Sequence, residues 1–275
     1  VASYGFHGVH GRAMPIATGI KVANPNLKVL AMGGDGDAFA IGGGHFVHAA
    51  RRNLDICYVI MDNNIYGLTK GQTSPTSNVG FVTKTTPKGT PDRPINPLQL
   101  AVAAGATFVA RGFSGDKRQL VPILKAALRH DGFALLDVIS PCVSFNDHEG
   151  STKSYRFTRE HAQDVTEIDF VPLRREIAAE GSAGSALEVA MHDGSLVRFR
   201  SVGDGYDPTD RAGAYAHVRA LRDRGEIATG LLYVDPSSAS LHEVHGTVDA
   251  PLATYPYESL CPGSGALAAY MDSLR

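Results

Sequence analysis

Residues 28–64 read KVLAMGGDGDAFAIGGGHFVHAARRNLDICYVIMDNN, and the alternation within this stretch decides the fold. Lys28 to Met32 is a short apolar run of the kind that makes a buried strand, and Gly33-Gly34-Asp35-Gly36-Asp37 is expected to break it. A helix is predicted from about Gly44 to Arg52. Ile56 to Met61 then forms a second apolar run, stopped by Asp62-Asn63-Asn64. Strand, helix and strand in one short stretch make a βαβ unit, which sets two strands parallel with their polar ends on the same side.

The pattern extends in both directions. Arg12 to Ala23 suits a short helix ended by Asn24-Pro25-Asn26. Residues 64–96 are rich in Gly, Pro, Ser and Thr, a long excursion of the kind compact domains usually reserve for function. Leu98 to Ala104 (helix), Thr107 to Ala110 (strand), Asp116 to His130 (helix) and Phe133 to Ile139 (strand) then continue the alternation. This predicts an α/β fold with a doubly wound, mostly parallel sheet covered on both faces, formed by residues 1 to about 150. Beyond Gly150 the character changes. Leu187 to Ala190 and Leu196 to Arg200 flank Asp193-Gly194, a hairpin signal; a helix from Asp210 to Arg224 ends at Gly225, and Ile227 to Val234 is one more strand. Residues 151–275 are therefore expected to form an α+β C-terminal extension.

The chain has 275 residues, 43% of them hydrophobic, and a formal charge of −2, enough for a sizeable core and without the basic field that favours nucleic acid or an anionic membrane. No apolar run approaches the roughly 20 residues of a membrane span, and nothing near Val1 has a signal-peptide layout, so a cytoplasmic protein is expected. Cys57, Cys142 and Cys261 lie far apart without a CxxC, which argues against a disulfide framework or a self-contained zinc site. The sequence opens on Val1 rather than Met, already in a Gly- and His-rich stretch, and upstream residues are expected to be missing.

In an open α/β sheet, ligands bind beyond the carboxyl ends of the strands, and both polar clusters of the βαβ unit fall there. Asp35 and Asn63 are 28 positions apart, so a strand-helix-strand crossover can bring two hard oxygen ligands to one site. Mg²⁺ takes octahedral oxygen coordination and often shares it with phosphates; a carboxylate, an amide oxygen and a main-chain carbonyl, such as that of Ile65, suit it. Gly33, Gly34 and Gly36 let the backbone approach a diphosphate, and Gly42-Gly43-Gly44 extends the loop. No GxGxxG opens the helix and no GKS or GKT is present, which leaves diphosphate with Mg²⁺ ahead of a dinucleotide or a nucleotide P-loop.

GDG followed by Asn at this distance resembles the thiamine diphosphate signature. YGFHGVHGRAMPIATGIKVANP, GGDGDAFAIGGGHFVHAARRN and NNIYGLTKGQTSPTS, within roughly residues 4–147, resemble the β subunit of 2-oxoacid:ferredoxin oxidoreductases, particularly the 2-oxoglutarate branch. GDG alone is a weak signal: Gly203-Asp204-Gly205 repeats it, but Leu232 stands at the matching distance and that copy is rejected.

The resemblance implies that Asp35, Asn63 and the Ile65 carbonyl hold Mg²⁺, and that His10, Gly34, Asp35, Gly36, Asp37, Gly67 and Leu68 contact thiamine diphosphate. Leu68 and Lys70 are implied in substrate choice. A cation at Lys70 would pair with the distal carboxylate of 2-oxoglutarate, a charge that pyruvate lacks. The implied reaction is oxidative decarboxylation of the 2-oxoacid to an acyl-coenzyme A, with electrons passed one at a time through a [4Fe-4S] cluster to ferredoxin. The acid that activates the cofactor's aminopyrimidine belongs in this family to the α subunit, so a heterodimer is implied. Cys142, in Ser-Pro-Cys, matches the fourth of the family's four cluster cysteines; the CxxC pair and third cysteine are absent here, and one thiolate cannot hold such a cluster.

Other readings stay open. A non-oxidative thiamine diphosphate-dependent decarboxylase or carboligase would carry its glutamate-bearing domain in a longer chain. A non-catalytic phosphate- or metal-binding module is permitted by the absent cysteines. Asp35 taken alone suits an ordinary turn aspartate, and Lys70 alone a solvated lysine. His7, His10, His45 and His48 could suggest a metal cluster, but they sit in Gly-rich or helical context, with His45 and His48 suited to flanking a helix face, and Cys57 is expected in the core. Cys261 is left unassigned. Arg156, Arg159, Arg174 and Arg175 suit either a partner subunit or a solvated face.

Overall fold

The computed structural model describes residues 3–171, 186–190, 196–201, 206–261 and 263–275. Helix α1 (Ala13–Ala23) buries Met14, Ala17 and the Lys21 side chain, whose ammonium is held by the Pro25 and Leu27 carbonyls and the Asp55 carboxylate. Strand β1 (Leu30–Gly34) keeps Gly33 and Gly34 inside it, in register with Ile60 and Met61 of β2 (Ile56–Asp62). The expectation that Gly33 and Gly34 break the strand is corrected: pairing to β2 carries both of them in β1, which ends at Gly34, before Asp35. A π-helical turn at Asp37–Ile41 then leads into α2 (Gly43–Arg51), which buries Phe46, Ala49 and Ala50.

Within the excursion after β2, a small hairpin forms from β3 (Ile65–Tyr66) and β4 (Gln72–Thr73). Helix α3 (Pro97–Ala104) starts on Asn96, whose side chain accepts from the Leu98 and Gln99 amides, and stops at Gly105, where φ of +95° suits glycine. Strand β5 (Phe108–Phe113) is longer than the predicted Thr107 to Ala110, because Arg111 is neutralised by Asp137 directly opposite in β6 (Phe133–Ile139). Between β5 and β6, α4 (Lys117–Ala127), capped by Asp116, turns Ile123, Ala126 and Ala127 inward.

Beyond position 150 lie α5 (Tyr155–His161), β7 (Ala162–Asp164) and a three-stranded antiparallel sheet of β8 (Thr166–Val171), β9 (Ala186–Ala190) and β10 (Leu196–Ser201) in the order β8-β10-β9. The predicted strand pair of the 187–200 hairpin is present, while its Asp193-Gly194 turn, the Gly203-Asp204-Gly205 copy, Arg174 and Arg175 lie outside the described residues. Helix α6 (Arg211–Asp223) follows, capped by Asp210, then β11 (Ile227–Val234), α7 (Leu241–His245), α8 (Tyr257–Leu260) and α9 (Gly263–Ser273).

The main sheet runs β1-β2-β6-β5-β11-β7. Its first four strands are parallel; β11 joins β5 antiparallel and β7 joins β11 parallel. One face packs on α1, α2, α3 and α6 through residues such as Phe46, Leu98 and Leu221, and the other packs on α4 and Ile168 of β8. Coverage on both faces is why every residue of β5 and β6 is buried and why the two strands read as nearly unbroken apolar runs. The sheet is thus the doubly wound, mostly parallel one expected, and the chain beyond position 150 supplies two of its six strands. Among the described residues no helix is long and apolar enough to cross a membrane.

Candidate functional site

Gly34 of β1 stands opposite Met61 of β2, so Asp35 follows level with Asp62, the last residue of β2, and Asn63 comes one residue further at the same carboxyl edge. Asp35 is 1% exposed. Its Oδ2 accepts hydrogen bonds from Ser74 Oγ and Thr76 Oγ1, both at 2.6 Å, and Oδ1 accepts none from the described residues. Burial, reinforced by the negative charge of Asp62, pushes the Asp35 carboxyl up to about 6 against the opposing hydroxyls and Lys153. This is a buried carboxylate short of positive charge.

Asn63 is half-buried; its Oδ1 accepts from the Ile65 amide at 3.1 Å, and its carbonyl accepts from Asn146 Nδ2 at 2.7 Å. Asn64, with φ of +58°, makes the reversal that places Ile65 at the start of β3. A few residues on, the Tyr66 hydroxyl donates to the Gly36 carbonyl at 3.1 Å, and a Cβ at Gly36 would fall inside the Tyr66 ring. A Cβ built on Gly34, by contrast, meets nothing within 4 Å, so the loop leaves open space on that side. Asp37 is tied to the amino-terminal segment: its Oδ1 accepts from the Gly11 amide at 2.5 Å and lies 3.5 Å from His10 Nδ1.

The YGLTKG stretch forms a tight turn closed by the Lys70 amide on the Gly67 carbonyl and the Gly71 amide on the Tyr66 carbonyl. Lys70 takes φ of +74°, and both Lys70 and Leu68 are exposed. Gly67 abuts Cys142: an added Cβ would lie 3.2 Å from its sulfur. The structure therefore pairs His10 with Asp37, Gly36 with Tyr66, Asn63 with Ile65 and Gly67 with Cys142, all along the carboxyl edge, and leaves Leu68 and Lys70 on the rim. His7, His45 and His48 are exposed, and among the described residues no three His, Cys, Asp or Glu side chains converge on one point. Cys57 is buried in β2, its thiol pushed up to about 12 by burial and by Asp55, and Cys261 is exposed. Arg156 pairs with Glu160 one helical turn on, and the Arg159 guanidinium lies 5.7 Å from the Tyr155 ring centroid.

Behind the site lies a charged cluster that the sequence reading did not single out. Asp62 Oδ2 accepts from Lys153 Nζ at 2.7 Å; Asp137 Oδ2 accepts from Arg111 Nε at 2.7 Å and Nη2 at 2.6 Å. Burial works against the Asp62 charge, yet Lys153 and Arg111 hold its carboxyl below the usual range. Asp137 goes the other way, raised by burial despite Arg111. The available signal was a lone charge inside an apolar run, Arg111 in FVARGF and Asp137 in FALLDVI, which requires a partner when buried. Lys153 lies 91 positions from Asp62, and no local pattern announces it.

The fold is that of an α/β protein with a mostly parallel sheet, a class in which ligands bind at the carboxyl ends of the strands. A buried carboxylate whose Oδ1 accepts no hydrogen bond from the described residues, an amide oxygen beyond the neighbouring strand end and the open side of the loop at Gly34 fit a divalent cation bound together with a diphosphate. The chain belongs to the thiamine pyrophosphate enzymes: residues 1–138 match their C-terminal TPP binding domain. It is 52% identical over 145 residues to the 2-oxoglutarate oxidoreductase subunit KorB of Mycobacterium tuberculosis, covering 53% of this chain and 39% of that protein. It is 50% identical over 151 residues to the 2-oxoacid:ferredoxin oxidoreductase subunit beta of Saccharolobus solfataricus, covering 55% and 49%. The chain thus spans less than half the length of these two curated relatives. A solved structure of the 2-oxoglutarate:ferredoxin oxidoreductase from Magnetococcus marinus, with 2-oxoglutarate, coenzyme A and succinyl-CoA bound, superposes with a TM-score of 0.69 at 34% identity, covering 91% of this chain and 72% of that one.

Proposed function

We propose that this chain is the cofactor-binding β subunit of a 2-oxoacid:ferredoxin oxidoreductase that converts 2-oxoglutarate, or a closely related 2-oxoacid, to its acyl-coenzyme A. The observation that carries this is Asp35: a buried carboxylate at a parallel strand end, short of positive charge and at the same carboxyl edge as Asn63. Asp35, Asn63 and the Ile65 carbonyl hold Mg²⁺; Gly34, Gly36, Asp37, Gly67, Leu68 and His10 line the thiamine diphosphate. When bound, that cofactor supplies the carbon nucleophile and the electron sink that decarboxylation of a 2-oxoacid needs.

The remaining roles belong to the chain's own side chains. The two hydroxyls on Asp35 Oδ2 keep the other carboxylate oxygen available to the cation. The Asp37 carboxylate holds His10 and the Gly11 amide against the glycine loop. Lys70, exposed on the rim, offers a cation to the distal carboxylate of the substrate, and Leu68 its apolar neighbour. Cys142, beside Gly67, would be one thiolate ligand of the [4Fe-4S] cluster that passes the electrons. An α subunit completes the active site as the partner in a heterodimer, and ferredoxin takes the electrons. Residues 1–150 carry the cofactor, and residues 151–275 act as an extension that completes the sheet.

The test is calorimetric binding of thiamine diphosphate with Mg²⁺ to the complex with the α subunit, for the native protein, Asp35→Ala and Asn63→Ala. Binding should be lost in both variants. Undiminished binding in Asp35→Ala would overturn the assignment.

A further inference from the structure

The Ser74-Pro75-Thr76-Ser77 turn lies in the excursion after β2 and is buried throughout its polar side chains, with Ser74 at 7%, Thr76 at 5% and Ser77 at 2% exposure. Buried hydroxyls must be satisfied, and here they are satisfied in one direction. Thr76 Oγ1 has a single proton and two carboxylates within reach, Asp35 Oδ2 at 2.6 Å and Asp62 Oδ1 at 3.2 Å; the shorter contact claims it. Asp62 is supplied from elsewhere, by Lys153 on Oδ2 and by the Asn64 backbone amide on Oδ1 at 3.3 Å; the Asn64 side chain satisfies its neighbours when its nitrogen is turned to Asp62 Oδ1 and to Thr76 Oγ1. Ser74 donates its own proton to Asp35 Oδ2. Ser77 accepts from the Ser74 amide at 2.8 Å and donates to the Asn64 carbonyl at 2.6 Å, which ties the turn to the segment that follows Asn63. The Ile95 amide closes on the Pro75 carbonyl and fastens the turn from the other side.

We infer that Ser74 and Thr76 are positioning residues for the metal site: their two protons saturate one oxygen of Asp35 and hold its carboxylate in the single rotamer that leaves the other oxygen for a cation. The inference rests on Asp35 being a metal ligand, as proposed above. Its physical content is preorganisation. Mg²⁺ demands near-ideal octahedral geometry, and a carboxylate fixed before the ion arrives loses less torsional freedom on binding it. Side chains that hydrogen-bond to a metal's ligands typically contribute 10–100-fold to its affinity. Asn64 and Ser77 act one step further back, by setting which way the Thr76 proton points and where the turn sits.

The test uses the complex with the α subunit and thiamine diphosphate in excess, titrated with Mn²⁺ and read by electron paramagnetic resonance, in Ser74→Ala, Thr76→Val and Thr76→Ser, with Asp35→Ala as reference. Ser74→Ala and Thr76→Val should each weaken Mn²⁺ binding by about 10-fold, and Thr76→Ser, which keeps the hydroxyl, should bind within about 2-fold of the native protein. Activity at saturating Mg²⁺ should fall far less than the half-saturating Mg²⁺ concentration rises, a split that general destabilisation would not produce. Ser74→Ala carries the test alone if Thr76→Val does not fold. Native affinity in Ser74→Ala and Thr76→Val, with binding lost in Asp35→Ala, would overturn the positioning role and leave the metal site intact. Native affinity in Asp35→Ala would remove the site, and the inference with it.

Discussion

Asp35 is placed where a carboxylate is costly. In the unfolded chain it ionises near 3.8, whereas in the cation-free fold burial and the Asp62 charge push it up to about 6. The folded protein therefore binds this proton more tightly than the unfolded chain, and the contribution of Asp35 to stability falls as pH rises from about 4 to about 6. At about 1.4 kcal/mol per pKa unit, the ionised carboxylate costs the cation-free protein on the order of 2–3 kcal/mol above that window. Asp35→Asn retains an oxygen acceptor for the two hydroxyls and removes the charge. We expect it to be more stable than the native protein by on the order of 2 kcal/mol at pH 8 and indistinguishable at pH 3.5, measured by urea unfolding without Mg²⁺ or cofactor. Equal stability of the two proteins at pH 8 would contradict this account. Stability given up at one residue in exchange for ligand binding is the usual condition of a site.

At the scale of the element, the glycine loop is shaped by what stands over it. Gly36 leaves no room for a Cβ because the Tyr66 ring lies against it while the Tyr66 hydroxyl holds the Gly36 carbonyl. The β3 hairpin and the end of β1 are therefore one structural unit, although 30 positions separate the two residues. Gly36→Ala must displace the ring, at a cost of roughly 1–3 kcal/mol as for other overpacked sites. Tyr66→Ala relieves the overlap, so Gly36→Ala combined with Tyr66→Ala should destabilise by clearly less than the sum of the single variants in a thermal-denaturation cycle. Strict additivity would mean the ring does not constrain the loop. Of this element the sequence disclosed the glycines and the strand-end positions of Asp35 and Asn63; that Gly33 and Gly34 remain in β1 depends on their partners Ile60 and Met61, which no local propensity encodes.

For the molecule as a whole, two features bind the residues beyond position 150 to those before it. Lys153 is the cation that neutralises buried Asp62, and β11 covers the edge of β5 with Leu231, Leu232 and Val234 fully buried. A fragment of residues 1–150 would leave Asp62 buried without its ammonium, a defect typically worth 3–5 kcal/mol, and would expose the edge strand β5. We expect that fragment to show no cooperative unfolding transition by circular dichroism and to aggregate, whereas the full chain melts as one unit. A sharp, reversible transition in the fragment would show that its sheet is self-sufficient.

The sequence by itself determined the alternation of strands and helices, the parallel sheet, and the placing of Asp35 and Asn63 at the carboxyl ends of two parallel strands, because periodicity and turn chemistry are local and a βαβ crossover has essentially one hand. It also carried, through YGLTKG and SPC, the stretches that hold Leu68, Lys70 and Cys142. Only the tertiary structure decided that β11 enters the main sheet antiparallel, that Arg111 answers Asp137 and Lys153 answers Asp62, and that Ser74 and Thr76 converge on Asp35. These pairings join residues 26 to more than 100 positions apart. They are chosen by the requirement that every buried charge and hydroxyl find a partner, a condition satisfied by the packed chain as a whole and not by any one segment of it.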